Sequence, residues 1–510
     1  MNKSFKLITT LLIMLFLSFQ YSLALKEQKE PPSRDWSRSL PTDSQGIDYF
    51  KLQSIPTDQG YSISRVSFKQ WDYVECTKNF ECQKIWSKDA FDYKSQTWMD
   101  GNTSYFIKGD TLFSSTKPDV NVPISSSVVD FTKTKDILVY WRKDNSLVVQ
   151  RGNDEPVEYV TDEPVWASYI VGDQIFVVTN SVLTNTVSIS KVNEKVLPFA
   201  QFKTKVNESI HSMDLFSLNE NQYGISLEIG LKSAGSRQKI IRTAPLSKTN
   251  PEEPTFSDIT FVDKVSGEKL FDMNYPTIFI GNNGTYMTFS ATMFNEKGTR
   301  SNHVFVGEFN PEQIEASAVT KSGDLYTNPL MLNEETIIYY KKVGKHKEMM
   351  YSSTLEEKRE MSAHGLKGDA VEAFHMLFSE SFKGILLALL SFLWIIPASV
   401  ICYIVGTQLQ KRGNPFVSPI MFTAYMVVMF FSQYLVFSQI LHSDLIASKT
   451  PYLSESWQVY MILLMASIVS VLPLLLSRTK INEDNANRAI VHATLLNLVI
   501  LFVLLGPYFF

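Results

Sequence analysis

Four long runs without one charged side chain crowd the last quarter of this 510-residue chain, at 384–409, 416–441, 457–477 and 489–510. Each reaches or exceeds the ~20 residues that an α-helix needs to cross ~30 Å of hydrocarbon. A single span must satisfy its own backbone polar groups, so each run is expected to be helical. Together they predict a bundle of four transmembrane helices over 384–510. Lys411 and Arg412 lie in the first break, Arg478, Lys480 and Arg488 flank the third, and the middle break carries only Lys449 as a full positive charge. The positive-inside bias therefore puts the first and third breaks in the cytoplasm and everything before residue 384 on the other side.

The N-terminus agrees. Lys3 and Lys6 precede an apolar stretch over 7–19, and Ser22-Leu23-Ala24 supplies small residues of the kind signal peptidase accepts. Residues 1–24 are expected to be a signal peptide and 25–45 a linker. The protein is thus expected to be a multi-pass membrane protein, of the plasma membrane or an endomembrane, with a large non-cytoplasmic domain over 46–362. The net charge of −4 gives no electrostatic reason to expect a nucleic-acid partner. A mean hydropathy of −0.04 conceals the division into a polar head and an apolar tail.

Strand-like runs fill the head. Segments beginning near 46, 95, 128, 164, 212, 275 and 328 each hold a short apolar strand, a polar turn and a second strand such as "DILVYW", "DQIFVV" or "ETIIYY". Spacing of roughly 35 to 60 residues suits four-stranded propeller blades, about six or seven of them. A stack of β-sandwiches is the alternative. Pro164-Val165-Trp166 and Pro329-Leu330-Met331 resemble the repeats of TolB-like β-propellers, in which a proline-led strand meets a turn and then an apolar strand. The resemblance is one of architecture and covers about three-fifths of the chain; the Ser-Pro-Asp-Gly turn of those repeats is missing.

Two of the three cysteines, Cys76 and Cys82, flank the turn "TKNFE" between "WDYVEC" and "CQKIWS". In an exported compartment a hairpin there is expected to close as a disulfide, which stabilises by roughly 2 kcal/mol. Cys402 falls in the first span with Ala398 and Gly406, a small-residue stripe fit for close helix contact. Residues 363–383 read as a juxtamembrane amphipathic segment, either lying on the outer leaflet or extending the first span. Asn102, Asn207 and Asn283 begin Asn-x-Ser/Thr glycosylation acceptors, all in the head.

Catalytic motifs are missing. There is no Gly-x-Ser-x-Gly elbow and no His-Glu-x-x-His, and no two of the seven histidines lie three or four residues apart. No catalytic, cofactor-binding or metal-ligating residue is assigned, and Asp162-Glu163 and Glu334-Glu335 are read as solvated turns. The expected function is a membrane-anchored scaffold whose propeller binds another membrane or extracytoplasmic protein, or a glycan, with the lipid bilayer as the other partner. Two alternatives stand beside it. One is an exported hydrolase or lyase with its site in the propeller channel, whose residues would come from several blades. The other is a sensor or transport-complex subunit.

Overall fold

The computed structural model describes residues 3–42, 49–89, 91–100, 103–117, 120–181, 184–233, 236–249, 253–294, 300–321, 325–343, 346–366, 369–383, 385–411, 417–450, 452–453, 455–476 and 486–508. The chain forms two compact units, one of Pro31–Asn295 and Arg300–Ala363, the other of Met1–Glu30 and His364–Phe510.

Among the described residues the first unit holds seven sheets, six of four strands and one of five. Within each, sequential strands pair antiparallel, and the inner strands of neighbouring sheets pack side by side. This is a seven-bladed β-propeller, at the upper end of the expected count. The inner strands are Tyr49–Thr57, Thr97–Asp100, Val128–Lys133, Val165–Val171, Glu208–Ser217, Phe271–Ile280 and Tyr326–Asn333. Because each blade is an up-and-down meander, all seven run in the same direction.

The second strands explain why the sequence reads as it does. In blade 3, Ile137–Arg142 has five consecutive buried residues, because neighbouring blades cover both of its faces. Apolar clusters accordingly lie between blades: Val66, Trp71 and Tyr73 of blade 1 meet Met99 and Phe106 of blade 2. The tight turns use left-handed residues where the hairpin demands them, as at Gly109 (φ 54°) and Asp110 (φ 62°).

Closure of the ring departs from the linear reading. Within the segment read as a linker, Leu40–Pro41 forms the outer strand of blade 7, pairing antiparallel with His346–Ser353. The last blade is thus completed by the first strand of the chain, and a two-residue strand carries too little periodicity to be seen in sequence. Chain leaving blade 5 continues as Thr260–Asp263, which pairs parallel with the outer strand of blade 6, Gln313–Ala318.

The cysteine hairpin forms as expected. Cys76 and Cys82 face each other across Trp71–Thr77 and Cys82–Lys88 and are disulfide-bonded. At its tip Phe80, in left-handed backbone (φ 63°), is buried and stacks on Tyr61 of blade 1 and Tyr351 of blade 7, with ring centroids 5.6 and 4.0 Å away.

The second unit is helical: α1 (Lys3–Lys29), α3 (Asp369–Lys383), α4 (Ile385–Leu390), α5 (Phe392–Lys411), α6 (Val417–Gln439), α7 (Ser443–Lys449), α8 (Ser456–Leu476) and α9 (Ala486–Leu504). A short α2 (Glu356–His364) belongs to the propeller unit. Among the described residues five helices, α1, α5, α6, α8 and α9, are long and apolar enough to cross a membrane. The sequence reading counts four spans and takes residues 1–24 as a signal peptide; α1 meets the same criterion of length and composition as the other four helices. Here α1 continues past Ala24, packs Leu12, Ile13 and Phe16 against the bundle core, and brings Thr9 within 3.2 Å of His492.

The small-residue stripe does what its spacing implies. Ala398, Cys402 and Gly406 are the buried face of α5, and a Cβ at Gly406 would stand 2.5 Å from the sulfur of Met421 on α6. Polar groups in the bundle pair with one another: Gln433 donates to Asn497 (2.7 Å), which donates to Ser467 (3.4 Å).

Candidate functional site: the mouth of the propeller ring

The inner strands share an irregularity. In six of the seven blades the inner strand carries an extra residue opposite its partner, a β-bulge, near its start. The residues left over at these bulges are Phe50, Val129, Trp166, His211, Tyr275 with Pro276, and Asn328 with Pro329; blades 6 and 7 carry a second bulge, at Asp272 with Met273 and at Leu332. Since the inner strands run in one direction, these bulges lie at one end of the ring. A bulge re-aims its side chain and interrupts the ladder. Val129, Trp166 and Tyr275 are accordingly exposed by 46, 36 and 45%, and His211 is exposed too. Four consecutive blades, 3 to 6, thus present a large side chain at the same mouth.

The ring beneath is tied blade to blade. Lys51 donates to the Ser95 carbonyl (2.9 Å), and the Gln96 N–H donates to Asp130 (2.9 Å). Ser168 donates to Thr132 (2.8 Å), Tyr169 donates to the Met213 carbonyl, and Thr277 donates to the Pro329 carbonyl (3.0 Å). At the seam, Asn333 of blade 7 donates to Tyr61 of blade 1 (2.5 Å).

Burial shifts the ionisable groups of this ring toward neutrality. It lowers the Lys51 ammonium and raises the Asp130 carboxyl, partly offset by the N–H groups of Gln96 and Phe131. Asp214, on the inner strand of blade 5, is pushed up to about 6, by burial and then by the negative charge of Glu228. Its folded value lies above the ordinary 3.8, so folding favours the protonated form. The stability this group lends is complete below about pH 4 and lost as pH rises through about 6. Asp214→Asn is therefore expected to raise the melting temperature at pH 8, with the gain shrinking between pH 6 and 4. A gain that is absent at pH 8, or that does not change with pH, would contradict the assignment.

Among the described residues no three of His, Cys, Asp and Glu gather closely enough to hold a metal ion. His303 is buried and bonds the Thr320 carbonyl within blade 6 (2.8 Å). Of the sequence-assigned positions, Asn207 and Asn283 lie on exposed turns, and Lys411 and Arg488 are exposed at helix ends. Asn102, Arg412, Arg478 and Lys480 lie outside the described residues. The bulged residues were not singled out as a set, because only the pairing register reveals which residue of each strand is extra. Glu334, read as solvated turn, instead accepts the Asn283 N–H (2.7 Å) and its side-chain amide.

No protein-family model matches the chain, and no curated protein matches it. Among solved structures it is similar to the N-terminal domain of Nup159, with 10% identity and a TM-score of 0.39, over 63% of this chain and 96% of that one. It is also similar to BamB from Moraxella catarrhalis, with 12% identity and a TM-score of 0.36, over 61% of this chain and 99% of that one. BBS1N, in its complex with ARL6DN, has 10% identity and a TM-score of 0.38, over 62% of this chain and 98% of that one. The propeller assignment itself rests on the seven sheets and on their closure by the N-terminal strand.

Proposed function

We propose that this protein is a membrane-anchored docking module whose propeller, on the non-cytoplasmic side, holds a protein partner at the mouth of its ring. The observation that carries this reading is the repeated bulge, which leaves Val129, Trp166, His211 and Tyr275 exposed on four consecutive blades. Aromatic side chains held by a rigid frame are the residues that dominate protein interfaces. The blade-to-blade hydrogen bonds keep the mouth ordered beforehand and so lower the entropic cost of binding. Basic residues at the ends of α5 and α9, Lys411 and Arg488, support the orientation. The amide chain through Gln433 and Asn497 acts in this reading as glue between spans rather than as a conduction path.

A photoreactive amino acid placed at Trp166 or Tyr275 of the full-length protein, in its native membrane, tests the proposal. A discrete protein adduct is expected from both positions and none from Val160, which is 80% exposed on the outer strand of blade 3. Equal labelling at all three positions, or no protein adduct at the mouth, would overturn it.

A further inference from the structure

Helix α3 is built inside out. Val371, Phe374 and Phe378 stand three and four residues apart, within about 60° of arc at about 100° per residue, and are exposed by 59, 58 and 59%. The opposite face, packed within the helical unit, carries Asp369 and Ala373, both buried. A surface helix in water turns its apolar stripe toward the protein, and α3 turns it away. The medium that meets this stripe is therefore apolar.

Which medium this is follows from the two ends of the helix. At its start the Tyr21 hydroxyl of α1 reaches the Ala370 carbonyl (3.5 Å), and α3 also packs on Gly506–Tyr508, just beyond α9. Past its end, Trp394 at the start of α5 meets Phe437 in the last turn of α6, with ring centroids 6.1 Å apart. Both ends of α3 thus belong to one end of the bundle, where α6 and α9 finish and α5 begins. Aromatic residues gather there. Phe19 meets Tyr452 (5.6 Å), Tyr452 meets Tyr508 (6.0 Å), and Trp457 is exposed at the start of α8. Aromatic side chains of this kind mark the headgroup level of a bilayer. The 20 residues of α5 cross ~30 Å of hydrocarbon unaided, so the span does not need α3. A helix whose two ends share one level lies along the surface. After one intervening residue and α4, its apolar exterior continues in Leu389, Phe392, Leu393 and Ile396, all exposed where the first span begins. Lipid that covers those residues reaches α3 as well.

We propose that α3 lies flat in the non-cytoplasmic leaflet at headgroup level, with Val371, Phe374 and Phe378 inserted among the lipid acyl chains. The proposal rests on the membrane-anchored reading above and adds a surface contact to the spans. The test attaches a nitroxide side chain to Val371→Cys, Phe374→Cys and Phe378→Cys, one at a time. Each is made in the full-length protein with Cys402→Ala, the disulfide intact, and reconstituted in phosphatidylcholine bilayers. Collisions with oxygen, which concentrates in hydrocarbon, are expected to exceed those with a water-soluble nickel chelate several-fold at all three positions. The three depths are expected to agree, whereas a helix continuing the span would spread them by about 10 Å, seven residues of helical rise. Val400→Cys, midway along α5, is expected to lie deeper, and Val160→Cys on the propeller to meet the nickel chelate freely.

Unaltered protein supplies a second measurement. A phosphatidylcholine with a photoreactive group near the ester end of its acyl chains is expected to label residues 369–383. Preference for the nickel chelate at the three positions, or a depth gradient of about 10 Å, would overturn the proposal. So would shielding from both reagents, as beneath a protein partner, or the absence of a lipid adduct. Val400→Cys reads the anchoring separately: if it too met the nickel chelate, the membrane reading itself would fail. The mouth is decided by the cross-linking experiment alone.

Discussion

Phe80→Ala is expected to cost about 3 kcal/mol and to loosen the ring at one place, the seam between blades 7 and 1. A closed ring has one junction that the chain does not cross in sequence order, and here Phe80 is wedged into it between Tyr61 and Tyr351. Truncation removes both stacking contacts and leaves a void that rigid sheets cannot fill. Hydrogen exchange is the informative readout. Protection is expected to fall in Gly60–Ser67 and His346–Ser353 while the strands of blade 4 keep theirs. The disulfide acts on the same tip, closing the hairpin turn that aims Phe80. Cys76→Ser with Cys82→Ser is expected to cost roughly 2 kcal/mol alone, and less when added to Phe80→Ala, because the two changes share one contact. Uniform loss of protection around all seven blades would show that the seam is not a separable unit.

The second large effect is expected at Arg65. Its guanidinium lies 3.4 Å from Asp72 and 4.6 Å above the ring of Tyr49, with both charged side chains buried. Tyr49 and Gln70 also donate to Asp72, and Tyr49 stacks on Tyr340 of blade 7, with ring centroids 6.0 Å apart. Arg65→Leu leaves the Asp72 carboxylate buried without its counter-charge, which costs about 3–5 kcal/mol in such settings. Lys84 does not compensate, since it is half exposed and stands 3.9 Å away. Pairing Arg65→Leu with Asp72→Asn is expected to recover much of the loss, because the cost comes from the uncompensated charge rather than from the missing contact. Thermal unfolding of the two variants beside the native protein measures this. A loss below 1 kcal/mol for Arg65→Leu would mean that water reaches Asp72.

The disulfide, the close-packed face of α5 and the blade repeat were legible because each depends on residues near one another in the chain. The pairing of Cys76 with Cys82 needs only a hairpin; the stripe of Ala398, Cys402 and Gly406 needs only 3.6 residues per turn. Strands such as Ile137–Arg142 announce burial on both faces by their unbroken apolar character. The number of spans is not fixed by local pattern, since α1 meets the same criterion of length and composition as the four C-terminal helices.

Sequence alone therefore determined that a strand-rich head precedes a tail of charge-free apolar runs, because periodicity and hydrophobic length are local properties of the chain. Tertiary structure alone decided where the ring closes, which residue of each inner strand is extra, and which face of α3 is packed. Leu40 meets Tyr351, and Tyr21 meets Ala370, across some three hundred or more residues of intervening chain. Such contacts arise from the register between strands and from the packing of helices, and no local pattern records either.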